Sequence, residues 1–262
     1  MEICQAQLAG GRSNQDQVVL MPNAVAVLDG ASAFRPVPVD PGTYAETLGA
    51  NIFAALKEDQ DQDLRTALAH AIRCTAQALQ LHPGHSPSAT VSIVRVNDTT
   101  IDTLVLGDSP IMLPNKTLID DRLDSLGLPE SAAYRERLAH GGGYDDTHRD
   151  TLSTLQIKQA QRRNTPGGYW IAEADPAAAA HALTAEHPRG SVPWCILTTD
   201  GAYDPLTHLG LDDWPTIATH NDHQLANLLG TCHAWEATTD PTGSHLPRAK
   251  RHDDKTLVVL RP

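Results

Sequence analysis

Residues 195–204 read CILTTDGAYD, an apolar run that ends on Asp200, a glycine and, four residues after the first acid, Asp204. The same order recurs along the chain. AVAVLDG (24–30) closes on Asp29-Gly30, the β-branched run TTIDTLVLGDSPIML (99–113) stops at Asp108, and Asp253-Asp254 stands directly before KTLVVL (255–260). Asp16 lies in the short loop GRSNQDQ (11–17). One Asp-Gly after a strand is ordinary turn chemistry. Repetition at well-separated places asks for more. A strand apolar on both faces lies inside a layered structure, so an acid at its end sits at the sheet rim, partly desolvated. Acids that converge there repel one another, and the remedies are raised pKa values or a cation; all-oxygen donors suit hard ions such as Mg2+ and Mn2+. Asp16, Asp29, Asp108, Asp200, Asp204 and Asp253 are the candidates. Their chemistry would be metal-assisted hydrolysis, with water activated at neutral pH.

The elements that must position these acids follow from periodicity. A first strand is expected around Ile3 to Leu8. TYAETLGANIFAALKE (43–58) and DLRTALAHAIRCTAQALQL (63–81) carry aliphatics at three- and four-residue spacing and predict two helices packed on a sheet. PSATVSIVRVND (87–98) and the 99–113 run predict a hairpin joined by an Asn-Asp turn. Segment 114–193 is polar and punctuated by HGGGYDD and RRNTPGGYW, so it reads as an insertion or flap with a helix near Thr147 to Asn164 and a flexible GGG turn at 141–143. A strand at 194–199, helical segments between Leu211 and Trp235, a Pro/Gly/His-rich loop (240–252) and a last strand complete a single domain spanning 1–262.

Composition narrows the function classes. Acids exceed bases by 12 charges and no Lys/Arg block occurs, which argues against nucleic acid as a partner. Cys4, Cys74, Cys195 and Cys232 lie far apart without a CxxC pair, as expected of reduced thiols in the cytoplasm. No apolar segment is long enough for a bilayer, and MEICQAQLAGGRSNQD lacks the features of a signal peptide. HPGHS (82–86) and THRDT (147–151) lack zinc spacing, and neither GxGxxG nor GxxxxGK[ST] is present.

In order, GRSNQDQ, VAVLDGASA (25–33), PSATVSIV (87–94), VLGDSPIML (105–113), CILTTDGAYD and HDDKTLVVL (252–260) resemble the motifs of the type 2C metal-dependent serine/threonine protein phosphatases. Each motif alone is weak, and the set covers nearly the whole chain outside 114–193. The resemblance implies an α+β fold, a four-layer α-β-β-α sandwich of two antiparallel sheets flanked by helices. It implies hydrolysis of phosphoserine or phosphothreonine in a partner protein by metal-activated water. Asp29 would be the bridging ligand of two tightly bound Mg2+ or Mn2+ ions, with Gly30 offering its carbonyl and Asp200 and Asp253 completing the pair. Asp108 and Asp204 would hold a weaker third ion. Arg12 would meet the substrate phosphate, with Asp16 and Gln15 supporting the ligands.

Four departures bear on activity. Gln15 replaces an acid, Arg12 stands one residue closer to Asp16 than the family's arginine, Ala-Ser-Ala follows Asp29-Gly30 in place of paired glycines, and Pro110 replaces an arginine. No histidine adjoins Asp29-Gly30, so leaving-group protonation needs water or another residue. The departures keep two rivals open: an inactive phosphatase-like module that binds partners, and a hydrolase of small phosphoesters. Neither oligomeric state nor the physiological metal is legible.

Overall fold

Strand β3 (Ala24–Gly30) is apolar on both faces because both are covered: Val25 and Val27 meet a second sheet, while Ala24, Ala26 and Leu28 meet helices. The computed structural model describes residues 1–262. With β1 (Glu2–Leu8), β2 (Asp16–Leu20), β4 (Ala89–Val96), β5 (Thr100–Leu106), β6 (Ile111–Leu113), β7 (Lys116–Leu118), β8 (Leu183–Pro188), β9 (Cys195–Thr198) and β10 (Lys255–Arg261), it builds two five-stranded antiparallel sheets. One sheet runs β2-β3-β4-β5-β8 and the other β1-β10-β9-β6-β7. Between them Val25, Val27, Val94 and Val105 face Ile111, Leu197, Val258 and Leu260. Helices α1 (Pro41–Glu58) and α2 (Leu64–Ala78) cover the first sheet. Helices α5 (Asp200–His208), α6 (Trp214–Ile217) and α7 (Asp222–Thr238) cover the second. This is the expected four-layer sandwich.

Local signals start the helices where they must. Asp40 caps α1 by accepting from the N–H groups of Gly42 and Thr43, with Pro41 at the first position. Asp63 caps α2, and Asn221 with Gln224 forms a capping box on α7.

Several segments differ from the sequence reading. The 99–113 run is two strands in different sheets, because the chain crosses from β5 to β6 through residues 107–110 and carries Asp108 on the crossover. Segment 114–193 supplies strands to both sheets: β7 pairs with β6, and β8 pairs with β5 along its whole length. Trp170, Ala172, Ala174, Ala178 and Ala179 join the core against α1 and α2. The part with a core of its own is the pair α3 (Pro129–Ala139) and α4 (Asp146–Ala160), closed over Tyr134, Leu138, Leu152 and Leu155. Its GGG turn is pinned, since Arg137 donates to the carbonyls of Gly142 and Gly143 at 2.8 and 2.7 Å and pairs with Asp145 at 2.6 Å.

Leu197 is fully buried in the inter-sheet layer opposite Ile111 and Val258. Leu197→Ala should cost about 2–5 kcal/mol, read as a lower denaturant midpoint with an unchanged slope.

Candidate metal centre

Register sets the first part of the site. Across β2, β3 and β4, Asp16 stands opposite Asp29 and Asp29 opposite Thr90. Directly opposed residues share a face of the sheet, here the inter-sheet face that deeper in the sandwich carries Val25 and Val27. The second sheet brings Thr199, Thr256 and Asp254 to the same end. Asp16, beneath the rim, joins the two: its Oδ2 accepts from Thr199 Oγ1 at 2.9 Å and Thr256 Oγ1 at 2.7 Å.

Asp200 does not end in a turn. It opens α5, and Asp204 lies one helical turn on, so both acids look out on one side of the helix. Glycine at 201 is a packing requirement: a Cβ there would lie 2.0 Å from the Asp254 carbonyl oxygen and 3.0 Å from Asp253 Cβ. The start of α5 is thereby laid against the strand that bears Asp253. Gly30 is buried, its N–H donates to the Gln15 carbonyl at 3.2 Å, and a Cβ would meet that oxygen at 2.9 Å and the Pro41 carbonyl oxygen at 3.0 Å.

Asp29, Asp108, Asp200, Asp204 and Asp253 all line one cleft of about 460 Å³, open to solvent and walled on one side by α3 and α4. Their crowding raises proton affinity. Desolvation, then the charges of Asp16, Asp200 and Asp253, hold Asp29 well above the usual carboxylate range. Desolvation and the charge of Asp200 push Asp108 up to about 8. Asp200 is raised by desolvation and by Asp253. In Asp16 desolvation outweighs the two threonine hydroxyls and lifts the carboxyl to about 7. Desolvation, then the charges of Asp200 and Asp124, raise Asp204 as well, to about 7. An all-oxygen donor set of acids crowded this closely fits a hard divalent cation, and Asp16 Oδ1 is buried without a partner beside it.

The remaining expected residues are placed as follows. Arg12 is exposed on the loop between β1 and β2 and lines no part of the cleft; the arginines on its wall are Arg135, Arg163 and Arg248. Gln15 acts through its backbone, donating to Asp254 Oδ2 at 2.9 Å, while Gly10 N–H donates to Oδ1 at 2.8 Å. Asp254 thus ties the Arg12 loop to the second sheet.

Other polar groups had no distinguishing sequence signal. Lys255, fully buried, pairs with Glu236 at 2.9 Å and donates to the Asp253 carbonyl at 3.1 Å, fixing the backbone that presents Asp253. His233, Glu236 and His252 bring ligand-type atoms within 4.8 Å of one another. Glu236 is already paired with Lys255 and hydrogen-bonded to His252 at 2.8 Å, and the two imidazoles stack on each other with planes 21° apart. The Lys255–Glu236 ion pair, with His252 hydrogen-bonded to it, stands behind Asp253.

No protein-family profile matches the chain, and no curated protein sequence does. Solved structures do. A bacterial serine phosphatase matches with TM-score 0.59 and 11% identity over 99% of this chain and 96% of its own. The PPM Ser-Thr phosphatase MsPP from Mycobacterium smegmatis, in complex with cacodylate, matches with TM-score 0.52 and 16% identity over 100% and 98%. The catalytic domain of the serine threonine protein phosphatase PstP, in complex with 2 manganese ions, matches with TM-score 0.52 and 12% identity over 98% and 96%. The chain therefore has the fold of the PPM-type Ser/Thr phosphatases, end to end.

The raised acids set a stability profile. They bind a proton more tightly folded than unfolded, so without divalent ions their contribution is complete below the ordinary carboxylate range near ~4 and is lost as pH rises through about 7 to 8. In chelator, the melting temperature should fall between pH 5 and pH 8, and Mn2+ should raise it more at pH 8 than at pH 5; a flat profile unaffected by Mn2+ would contradict the crowding.

Proposed function

We propose that this chain is a divalent-metal-dependent phosphatase that hydrolyses phosphoserine or phosphothreonine in a partner protein. The observation that carries the proposal is the convergence of Asp29, Asp108, Asp200, Asp204 and Asp253 on one cleft in a fold shared with Ser/Thr phosphatases. Asp29, Asp200, Asp253 and the Gly30 carbonyl are the residues that would hold two tight Mg2+ or Mn2+ ions, and Asp108 and Asp204 a weaker third. Bound there, such ions would lower the pKa of a water nucleophile and polarise the phosphoryl oxygens.

The chain's own residues supply position and access. Asp16, Thr199 and Thr256 hold the two sheets' acids in register, as a preorganised centre requires. Arg135 and Arg163 on the wall present guanidinium groups to an anionic substrate. No histidine lines the cleft, so protonation of the departing alkoxide needs water or another residue. A cleft of this size, open to solvent, suits a polypeptide segment, and α3 with α4 is the part of 114–193 we assign as the substrate-selecting flap. Gln156 on α4 donates to the Ser32 carbonyl at 2.6 Å and accepts from Phe34 N–H at 2.9 Å, which fastens the flap to the loop that follows Asp29. Four free cysteines support a reducing, cytoplasmic setting, and no helix is long and apolar enough to cross a membrane.

With Mn2+ and a phosphothreonine peptide, the parent should turn over, and Asp29→Asn or Asp200→Asn should lose at least about a hundredfold in kcat with native circular dichroism retained. Asp204→Asn should keep tight Mn2+ binding by calorimetry yet lose most turnover. Undiminished activity in excess chelator would sink the metal reading; a parent that binds Mn2+ but hydrolyses neither peptide nor aryl phosphate would be a binding module.

The flap assignment has a separate test. Arg135→Ala is expected to lower kcat/KM for a phosphopeptide about tenfold, and for a small aryl phosphate by less than about threefold; equal losses would assign Arg135 to the chemistry shared by both substrates.

A further inference from the structure

A cation already stands in the carboxylate centre. Lys250 Nζ lies 2.5 Å from Asp253 Oδ1, with both side chains mostly shielded from solvent. Its charge also acts on Asp29, Asp254 and Asp200. An exposed lysine three residues before an acid would mean little, but this one is held in place by a folded loop.

That loop is organised around Asp240, which is fully buried. Asp240 Oδ1 accepts from His245 N–H at 3.0 Å; its Oδ2 accepts from Leu246 N–H at 3.1 Å and from Arg248 at 2.6 Å. Arg248 in turn donates to the carbonyls of Asp240, Leu246 and Arg251 and lies over the rings of Tyr144 and Trp235. His148 of the flap is hydrogen-bonded to the Ala249 carbonyl at 2.9 Å. Residues on both sides of 250 are therefore fixed, and the ammonium is delivered to Asp253.

We propose that Lys250 is a built-in counter-ion that balances the metal-free centre, yields Asp253 when a divalent ion binds, and thereby sets the centre's metal affinity; this rests on the metal-centre reading above. Asp253 Oδ1 carries both Lys250 and the Asp254 N–H, at 2.9 Å. A divalent ion on the same carboxylate and an ammonium within hydrogen-bond reach repel strongly in a partly desolvated cleft. The lysine, on a flexible stem, is the partner that can leave. The loop tether makes this an affinity control linked to the flap through His148 and Ala249.

The test is Mn2+ calorimetry on the full chain and on Lys250→Gln and Lys250→Arg. Lys250→Gln should bind Mn2+ about tenfold more tightly than the parent, because a competing charge has gone, and Lys250→Arg should stay within about twofold of it. Equal affinities for the parent and Lys250→Gln overturn the proposal while leaving the metal centre standing. So does equal tightening by both variants, which would point to bulk instead of charge. Absence of Mn2+ binding in all three natively folded proteins overturns the metal-centre reading itself, and the proposal with it. A second measurement needs no variant: acetylation of the parent by an amine-reactive ester, mapped by mass spectrometry. Labelling of Lys250 should rise severalfold when Mn2+ is added to chelated protein, against unchanged labelling of the exposed Lys57 and Lys116; unchanged labelling of Lys250 in protein shown to bind Mn2+ overturns the displacement.

Discussion

Mutual repulsion among carboxylates is the constraint on which the rest of the structure depends. Asp29, Asp108, Asp200, Asp204 and Asp253 share one cleft, and Asp16 lies buried just below it with one oxygen unpartnered. Burial disfavours each charge and each charge disfavours its neighbours, so the centre is a place the chain would abandon if packing elsewhere did not hold it. The apolar layer between the sheets does that holding. It is continuous from Val25 and Val27 to Val258 and Leu260, and Asp29 with Asp16 opposite it occupies the same face where that layer ends.

Stitching at the rim is polar and short-ranged. Asp16 reaches from the first sheet to Thr199 and Thr256 of the second. Asp254 takes two backbone N–H groups from the loop between β1 and β2. Gly201 lets α5 touch the backbone of Asp254. Each contact joins segments that are far apart in sequence, and each fixes an acid relative to another instead of merely burying it. Buried networks of this kind are specific because a half-satisfied one is costly.

What was legible in the sequence follows from this division. Strands buried on both faces betray themselves as apolar runs, so β3, β4, β9 and β10 could be read directly, with the acids that flank β3, β9 and β10. Asp200 to Asp204 looked like a turn because Asp and Gly favour turns, and only tertiary packing shows that they open a helix. Strand β8 alternates half-buried with exposed residues at a sheet edge, and β7 spans three residues, so neither gave a hydrophobic run to detect; hence 114–193 seemed more detached from the sandwich than it is. The fixed GGG turn depends on Arg137, whose partners are not visible as a pattern. Arg12 was conspicuous by type and position in its motif, yet residue type says nothing of where a loop side chain points.

Lysines reveal the same limit from the opposite side. Neither Lys250 nor Lys255 belongs to a recognisable spacing, yet one meets the Asp253 carboxylate and the other its carbonyl. Their roles differ because their surroundings do. Lys255 is fully enclosed and matched to Glu236, so its charge is spent on structure. Lys250 retains contact with solvent and faces an excess of acids, so its hold on Asp253 is one ion-paired hydrogen bond at the end of a flexible stem. A structural cation and an exchangeable one can therefore sit five residues apart, separated by how completely each is paired and how far water can replace the partner it would lose.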